Sequence, residues 1–229
     1  MIGVALMNNQ RLKLTLIISL AIFIVTAYVT QVKGSFPFDE AILSWVEGQA
    51  SSSFHGVMKY ISILGSSEVI LILTGIIGAI LLFKRAWPHF WFFAIVSVGG
   101  VFLNLLLKFV FQRERPDGET SYIDVFNYTL EIPSYSFPSG HTMRVTILLL
   151  FLIYVTIRFV YSRMVRSFLL TTFVLLIIGV ALSRALLEAH YLSDTIAAIS
   201  VSIAWFNVCQ LMLKRYESRR RYSFRIFGR

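Results

Sequence analysis

Six stretches of mostly apolar residues constrain this 229-residue chain more than any other feature. They run 14–32, 66–83, 90–107, 142–159, 168–185 and 191–213. A helix rises ~1.5 Å per residue, so about 20 such residues cross a hydrocarbon layer ~30 Å thick. Each stretch is therefore a candidate membrane span. The first is too long for the ~7–15-residue apolar region of a cleaved leader, and no small-residue cleavage site follows it. We read it as a permanent span.

Composition supports the same reading. Hydrophobic residues make up 57% of the chain and charged residues 14%, against roughly 25% charged in an ordinary soluble domain. So little polar surface cannot cover a water-soluble globule. No repeat, low-complexity tract or linker divides the sequence. We expect one all-α, polytopic membrane domain over residues 1–229, with six transmembrane helices and a basic tail at 214–229. The lone cysteine, Cys209, lies in an apolar run and excludes an internal disulfide.

The basic residues predict the orientation. Arg11 and Lys13 precede the first span, Lys84 and Arg85 join the second to the third, and Arg158, Arg163 and Arg166 join the fourth to the fifth. The tail adds Lys214, Arg215, Arg219, Arg220, Arg221, Arg225 and Arg229. Basic residues beside spans stay cytoplasmic, so both termini are expected inside and the other three links outside. A net charge of +9 then reflects topology and contact with anionic lipid rather than nucleic-acid binding.

The outer links hold the unusual residues. In the first, Phe38, Ala41, Ile42 and Trp45 fall at helical spacing, as do Phe54, Val57, Met58, Ile61 and Leu64 before Gly65. These predict two short amphipathic helices at the outer interface, serving as lateral anchors or as a lid.

Three further segments carry chemistry. Asn104, Lys108, Gln112 and Arg115 share one helical face if the third span continues to Pro116. Such a stripe suits either a satisfied polar face or a pair of cations holding a tetrahedral anion. Pro138-Ser139-Gly140-His141 opens the fourth span, where helix N–H groups attract phosphate and Gly140 permits close approach. An ordinary cap with an interfacial histidine fits that segment too. His190 and Asp194 stand one turn apart at the start of the last helix. A carboxylate there can fix an imidazole tautomer and stabilise its charged form, or the pair can be structural.

Taken together, Lys108 with Arg115-Pro116, the Pro-Ser-Gly-His segment, and Ser183-Arg184 with His190 and Asp194 resemble the three-part signature of the type 2 phosphatidic acid phosphatase superfamily. Every defining position matches, in the usual order. Six spans with all three parts on one side are similar to its membrane-bound, bacterial lipid phosphatase branch. The resemblance implies His190 as nucleophile, Asp194 as its orienting partner and His141 as general acid. It makes Lys108, Arg115, Ser139, Gly140 and Arg184 the phosphate cradle. It implies no cofactor and no metal, since cations supply the charge that magnesium supplies elsewhere. Thr142 and Arg144 depart from the small apolar residues more usual after the histidine. Arg144 shares the face of His141 and is a candidate head-group contact, or it snorkels or pairs with an outer carboxylate.

The implied activity is hydrolysis of a lipid phosphomonoester or diphosphate through a phospho-histidine at the outer face. Phosphatidylglycerophosphate is the expected substrate, with undecaprenyl diphosphate and phosphatidate as alternatives. A phosphotransferase within the family is a further alternative. Membrane lipids are the expected partners. Six spans argue against the soluble haloperoxidase branch. A transporter would scatter polar residues through mid-membrane, whereas here they gather at one surface.

Overall fold

The computed structural model describes residues 9–49, 52–116, 118, 121–125, 128–132 and 135–226. Arg229 lies outside them, as do the side chains of the tail cations from Arg219 onward. The helices are α1 (Asn9–Lys33), α2 (Pro37–Gln49), α3 (Ser52–Ile63), α4 (Ser67–Phe83), α5 (Trp87–Phe111), α6 (Gly140–Phe159), α7 (Arg163–Leu186) and α8 (Leu192–Ile226). Strands β1 (Ser121–Val125) and β2 (Tyr128–Ile132) lie between α5 and α6. Six helical runs are long and apolar enough to cross a membrane, so the protein is a multi-pass membrane protein of the all-α class. The spans match the six predicted stretches, and α2 and α3 are the two short helices expected in the first link.

α6 and α8 form the inner pair, with more than half of each apolar run buried. Small and hydroxyl-bearing residues make this approach close: Thr142 and Thr146 on α6, and Ala197, Ala198 and Ser202 on α8, are all fully buried. Such residues let helix backbones approach where lipid offers no hydrophobic drive. α1 packs along α8, and Asn207 donates to Thr15 Oγ1 across that seam at 2.9 Å. α5 meets the inner pair through Gly99 and Gly100. A Cβ at Gly99 would stand 2.4 Å from the Trp205 ring, and one at Gly100 2.2 Å from Ile147 Cδ1.

The short helices brace the same end of the bundle that carries the three motif segments. Ser66 caps α4 by accepting from Val69 N at 3.3 Å. The turn before it presses inward: a Cβ at Gly65 would lie 3.2 Å from the His141 carbonyl oxygen. Phe137 is fully buried and packs edge-on against Phe111 at 4.9 Å and beside Phe23 at 5.9 Å. These rings seat the Pro-Ser-Gly-His segment on α1 and α5.

The structure corrects the sequence reading in several places. α5 does not continue to Pro116. It ends at Phe111, and Gln112 adopts a left-handed conformation with φ 45°. Arg115 therefore lies beyond the helix rather than on a stripe with Lys108. The physical reason is Arg113, which a continued helix would aim away from Lys108; the turn instead buries it. His190 sits in the turn before α8, not on it. The second outer link contains an unforeseen antiparallel hairpin in which Ser121 pairs with Ile132 and Val125 with Tyr128. Its β-branched and aromatic residues favour strands. Finally, α8 continues to Ile226, so the basic tail begins as helix.

Candidate active site

Lys108 ends α5, Gly140 and His141 open α6, Arg184 ends α7, and His190 and Asp194 flank the start of α8. Arg115 joins them from the loop after α5. One set of charges results: His141 lies in the fields of Arg115, Arg144, Arg184 and His190. Lys108 lies in those of Arg115, Asp194, Arg144 and Arg184. Four cations and two imidazoles thus act on one another at one end of the bundle.

His190 is almost wholly buried. Its backbone N–H donates to Arg184 O at 3.2 Å, which ties the turn to α7. Its Nδ1 stands 3.7 Å from Asp194 Oδ2 and closer, 3.2 Å, to Ser136 Oγ. Ser136 also hydrogen bonds to Asp194 Oδ2. An ionised carboxylate only accepts, so the single Ser136 proton goes to Asp194. The Ser136 oxygen then accepts from Nδ1–H. This relay leaves the Nε2 lone pair unprotonated. Burial pushes the His190 pKa down to about 4, against the opposing pull of Asp194, while Arg115 and Arg184 depress it further. The ring is therefore neutral and nucleophilic near pH 7.

Asp194 is itself held from several sides. It accepts from Tyr191 N at 3.0 Å and from Arg113 Nη1 at 2.5 Å. Arg113 also donates to Ser193 Oγ at 2.8 Å and to the Gly34 carbonyl at 2.7 Å. It lies 3.6 Å from Asp39 on α2 and 3.9 Å over the Tyr191 ring. Asp39 accepts from Ser193 N at 2.8 Å and Ser193 Oγ at 2.6 Å. A buried chain of charges thus runs from α2 through Arg113 to Asp194. On the other flank, Arg184 Nη1 donates to Ser62 of α3 at 2.9 Å.

Ser139 occupies the cap position of α6, but its hydroxyl makes no bond to the helix N–H groups. It accepts instead from Thr142 at 3.2 Å, which gives the unusual threonine a local role. The ordinary serine cap, the alternative reading of this segment, is therefore not formed, and the first turn of α6 presents its N–H groups without a side-chain acceptor from Ser139. Ser139 N donates to Asp194 O at 3.2 Å, and Asn104 Nδ2 to Pro138 O at 3.1 Å. Lys108 Nζ hydrogen bonds to the Tyr135 carbonyl.

All the residues singled out in the sequence assemble at this end of the bundle. Sequence reasoning missed Ser136, Asp39, Ser193 and Ser62, and gave Arg113 no role beyond that of a basic residue in the link. Among the described residues, no three of His, Cys, Asp and Glu converge to hold a metal ion.

The chain is similar to known proteins. Phosphatidylglycerophosphatase B of Bacillus subtilis (strain 168) is 27% identical over 154 residues, covering 66% of this chain and 70% of that protein. A crystal structure described as the first transmembrane PAP2 type phosphatidylglycerolphosphate phosphatase from Bacillus subtilis superposes with a TM-score of 0.70. It is 23% identical, and the match covers 90% of this chain and 96% of that one. The PAP2 superfamily profile matches residues 56–217, from within α3 to within α8 and across all three motif segments. The chain therefore belongs to the PAP2 superfamily.

Proposed function

We propose that this protein is a metal-independent lipid phosphatase that converts phosphatidylglycerophosphate to phosphatidylglycerol through a phospho-histidine at His190. The observation that carries this reading is the relay from His190 Nδ1 through Ser136 to Asp194, set beneath Lys108, Arg115 and Arg184. The names of the relatives favour the substrate.

In the first step, His190 Nε2 attacks phosphorus in line and the bond to the glycerol oxygen breaks. His141, protonated once the substrate's phosphate offsets the surrounding arginines, gives its proton to that departing oxygen. Asp194, acting through Ser136, stabilises the positive charge on the His190 ring. Lys108, Arg115, Arg184, the Ser139 hydroxyl and the Gly140 N–H neutralise the phosphoryl oxygens. In the second step, neutral His141 takes a proton from water, whose oxygen attacks phosphorus. The N–P bond breaks, inorganic phosphate leaves, and both histidines return to their starting states.

The positive-inside pattern supports an extracytoplasmic site. Of the 21 Lys and Arg residues, 14 fall in sequence before the first span, in the second-to-third and fourth-to-fifth links, and in the tail. An impermeant thiol reagent should label Asp124→Cys in intact cells but not Arg163→Cys. The reverse pattern would overturn the orientation.

The decisive experiment offers purified protein a panel of phosphatidylglycerophosphate, phosphatidate and undecaprenyl diphosphate, with excess chelator present. We expect turnover with preference for the first. Rapid quenching at high pH should retain labelled phosphorus on the peptide containing His190, and His190→Ala should retain none. Activity lost in chelator and restored by magnesium would refute the metal-independent mechanism. Preference for the diphosphate would move the substrate to the isoprenoid class.

A further inference from the structure

Arg144 lies on α6 three residues after His141, about 4.5 Å further along the axis at ~1.5 Å per residue. α6 begins at the site and runs into the bilayer, so the Arg144 backbone sits one turn deeper than the general acid while its side chain reaches back along the helix. Its Nη1 is 3.5 Å from where a Gly140 Cβ would stand, which lays the guanidinium against the phosphate-binding turn. Its Nε is buried and has no hydrogen-bond partner among the described residues. The carboxylate acting on it is Glu68 of α4, yet no ion pair joins the two among the described residues. Pairing with an outer carboxylate therefore does not account for it.

Arg144 also heads a groove of about 330 Å³ between α4, α5 and α6, walled by Ile70, Val101, Met143 and Leu148 among others. Among the described residues it is the only charged one lining that groove. A cation at the head of an apolar furrow complements an anion attached to hydrocarbon.

We propose that Arg144 binds the phosphodiester of a glycerophospholipid whose terminal phosphomonoester is hydrolysed, with one acyl chain of that lipid lying in the groove. This rests on the phosphatase reading above. The oxygen that His141 protonates carries the remainder of the lipid. In phosphatidylglycerophosphate the next anion along is the diester, set off by a glycerol bridge and deeper toward the chains. In a diphosphate the second phosphorus shares an oxygen with the first and stays at the level of His141. A guanidinium that lies between the phosphate-binding turn and the head of an apolar furrow suits the bridged pair, whose diester lies between the reacting phosphorus and the chains. Arg144 is thus the residue that separates lipids with two spaced phosphates from phosphatidate, which has one.

The test compares kcat/KM for phosphatidylglycerophosphate and for phosphatidate of the same acyl length in mixed micelles. Arg144→Met should lower the ratio at least about tenfold, the scale of one lost charge-assisted contact. Arg144→Lys should fall between, since a point charge replaces a planar fork. Thr74→Trp, which fills the groove, should raise KM more for long-chain than for short-chain lipid. Without any variant, phosphatidylglycerol, which retains the diester, should compete with substrate better than diacylglycerol does. A ratio altered less than about twofold in Arg144→Met would overturn the inference while leaving the phosphatase reading intact, as would equal competition by the two lipids. A greater loss on an isoprenoid diphosphate would overturn the diester assignment. Wild-type protein that turns over neither glycerophospholipid would overturn the proposed function, and this inference with it.

Discussion

Replacing Arg113 by methionine should unfold the active-site end of the bundle and disable it at once. Arg113 is 9% exposed, and its two carboxylate partners, Asp39 and Asp194, are at most 1% exposed. Breaking a buried ion pair by deleting one member costs about 3–5 kcal/mol, because the abandoned charge has no water to return to. Here one deletion abandons two carboxylates. Asp39 keeps the two Ser193 donors and Phe36 N at 3.0 Å; Asp194 keeps Ser136 and Tyr191 N. These remaining donors hold the loss near that range rather than doubling it. Asp39→Asn neutralises one of the charges, so Arg113→Met/Asp39→Asn should be more stable than the sum of the single losses by at least about 1 kcal/mol. Equilibrium unfolding in mixed micelles measures all three. The rate should fall as well, by about 100-fold in kcat, the scale expected when a reacting group shifts by about 1 Å. Additivity within about 0.5 kcal/mol, or a stable Arg113→Met variant with unaltered kcat, would refute the argument that α2 supports Asp194 through Arg113.

Three other outcomes follow from the geometry. Ser136→Ala removes the relay and leaves His190 Nδ1 3.7 Å from Asp194; kcat should fall with little change in KM, and Ser136→Thr should restore part of it. His190 is neutral down to about pH 4, so the acid limb of kcat/KM, corrected for ionisation of the substrate phosphate, should lie near pH 4. The unfolded chain, with an ordinary pKa of 6.5, binds more protons between these values. Stability is therefore full above pH 6.5 and declines toward pH 4, and His190→Gln should flatten that decline in unfolding measurements. His141→Ala should be far more damaging for a lipid phosphate than for an activated aryl phosphate, whose leaving group needs no proton; equal losses would remove His141 from the acid role.

The spans and the three motif segments were legible in the sequence because each rests on local pattern. Twenty apolar residues announce a span wherever they fall, and Pro138-Ser139-Gly140-His141 carries its chemistry in consecutive residues. The support around them was not legible. Ser136 meets His190 across 54 positions, Arg113 meets Asp194 across 81, and Ser193 meets Asp39 across 154. A buried serine or aspartate has no periodicity of its own; its meaning comes from what the fold sets beside it. The misplaced Arg115 has the same origin. Helical spacing extends naturally from Lys108 to Pro116, and only the need to bury Arg113 between two distant carboxylates ends the helix early.

The seam between α1 and α8 has a consequence for how the protein is made. α1 finds its main neighbour in α8, which follows it by more than 150 residues. Asp39 likewise waits for Ser193 and Asp194, which the ribosome delivers more than 150 residues later. A nascent chain halted before α8 holds neither Asp194 nor a mate for α1. On the proposed mechanism, insertion intermediates are therefore catalytically silent until α8 has packed against α1.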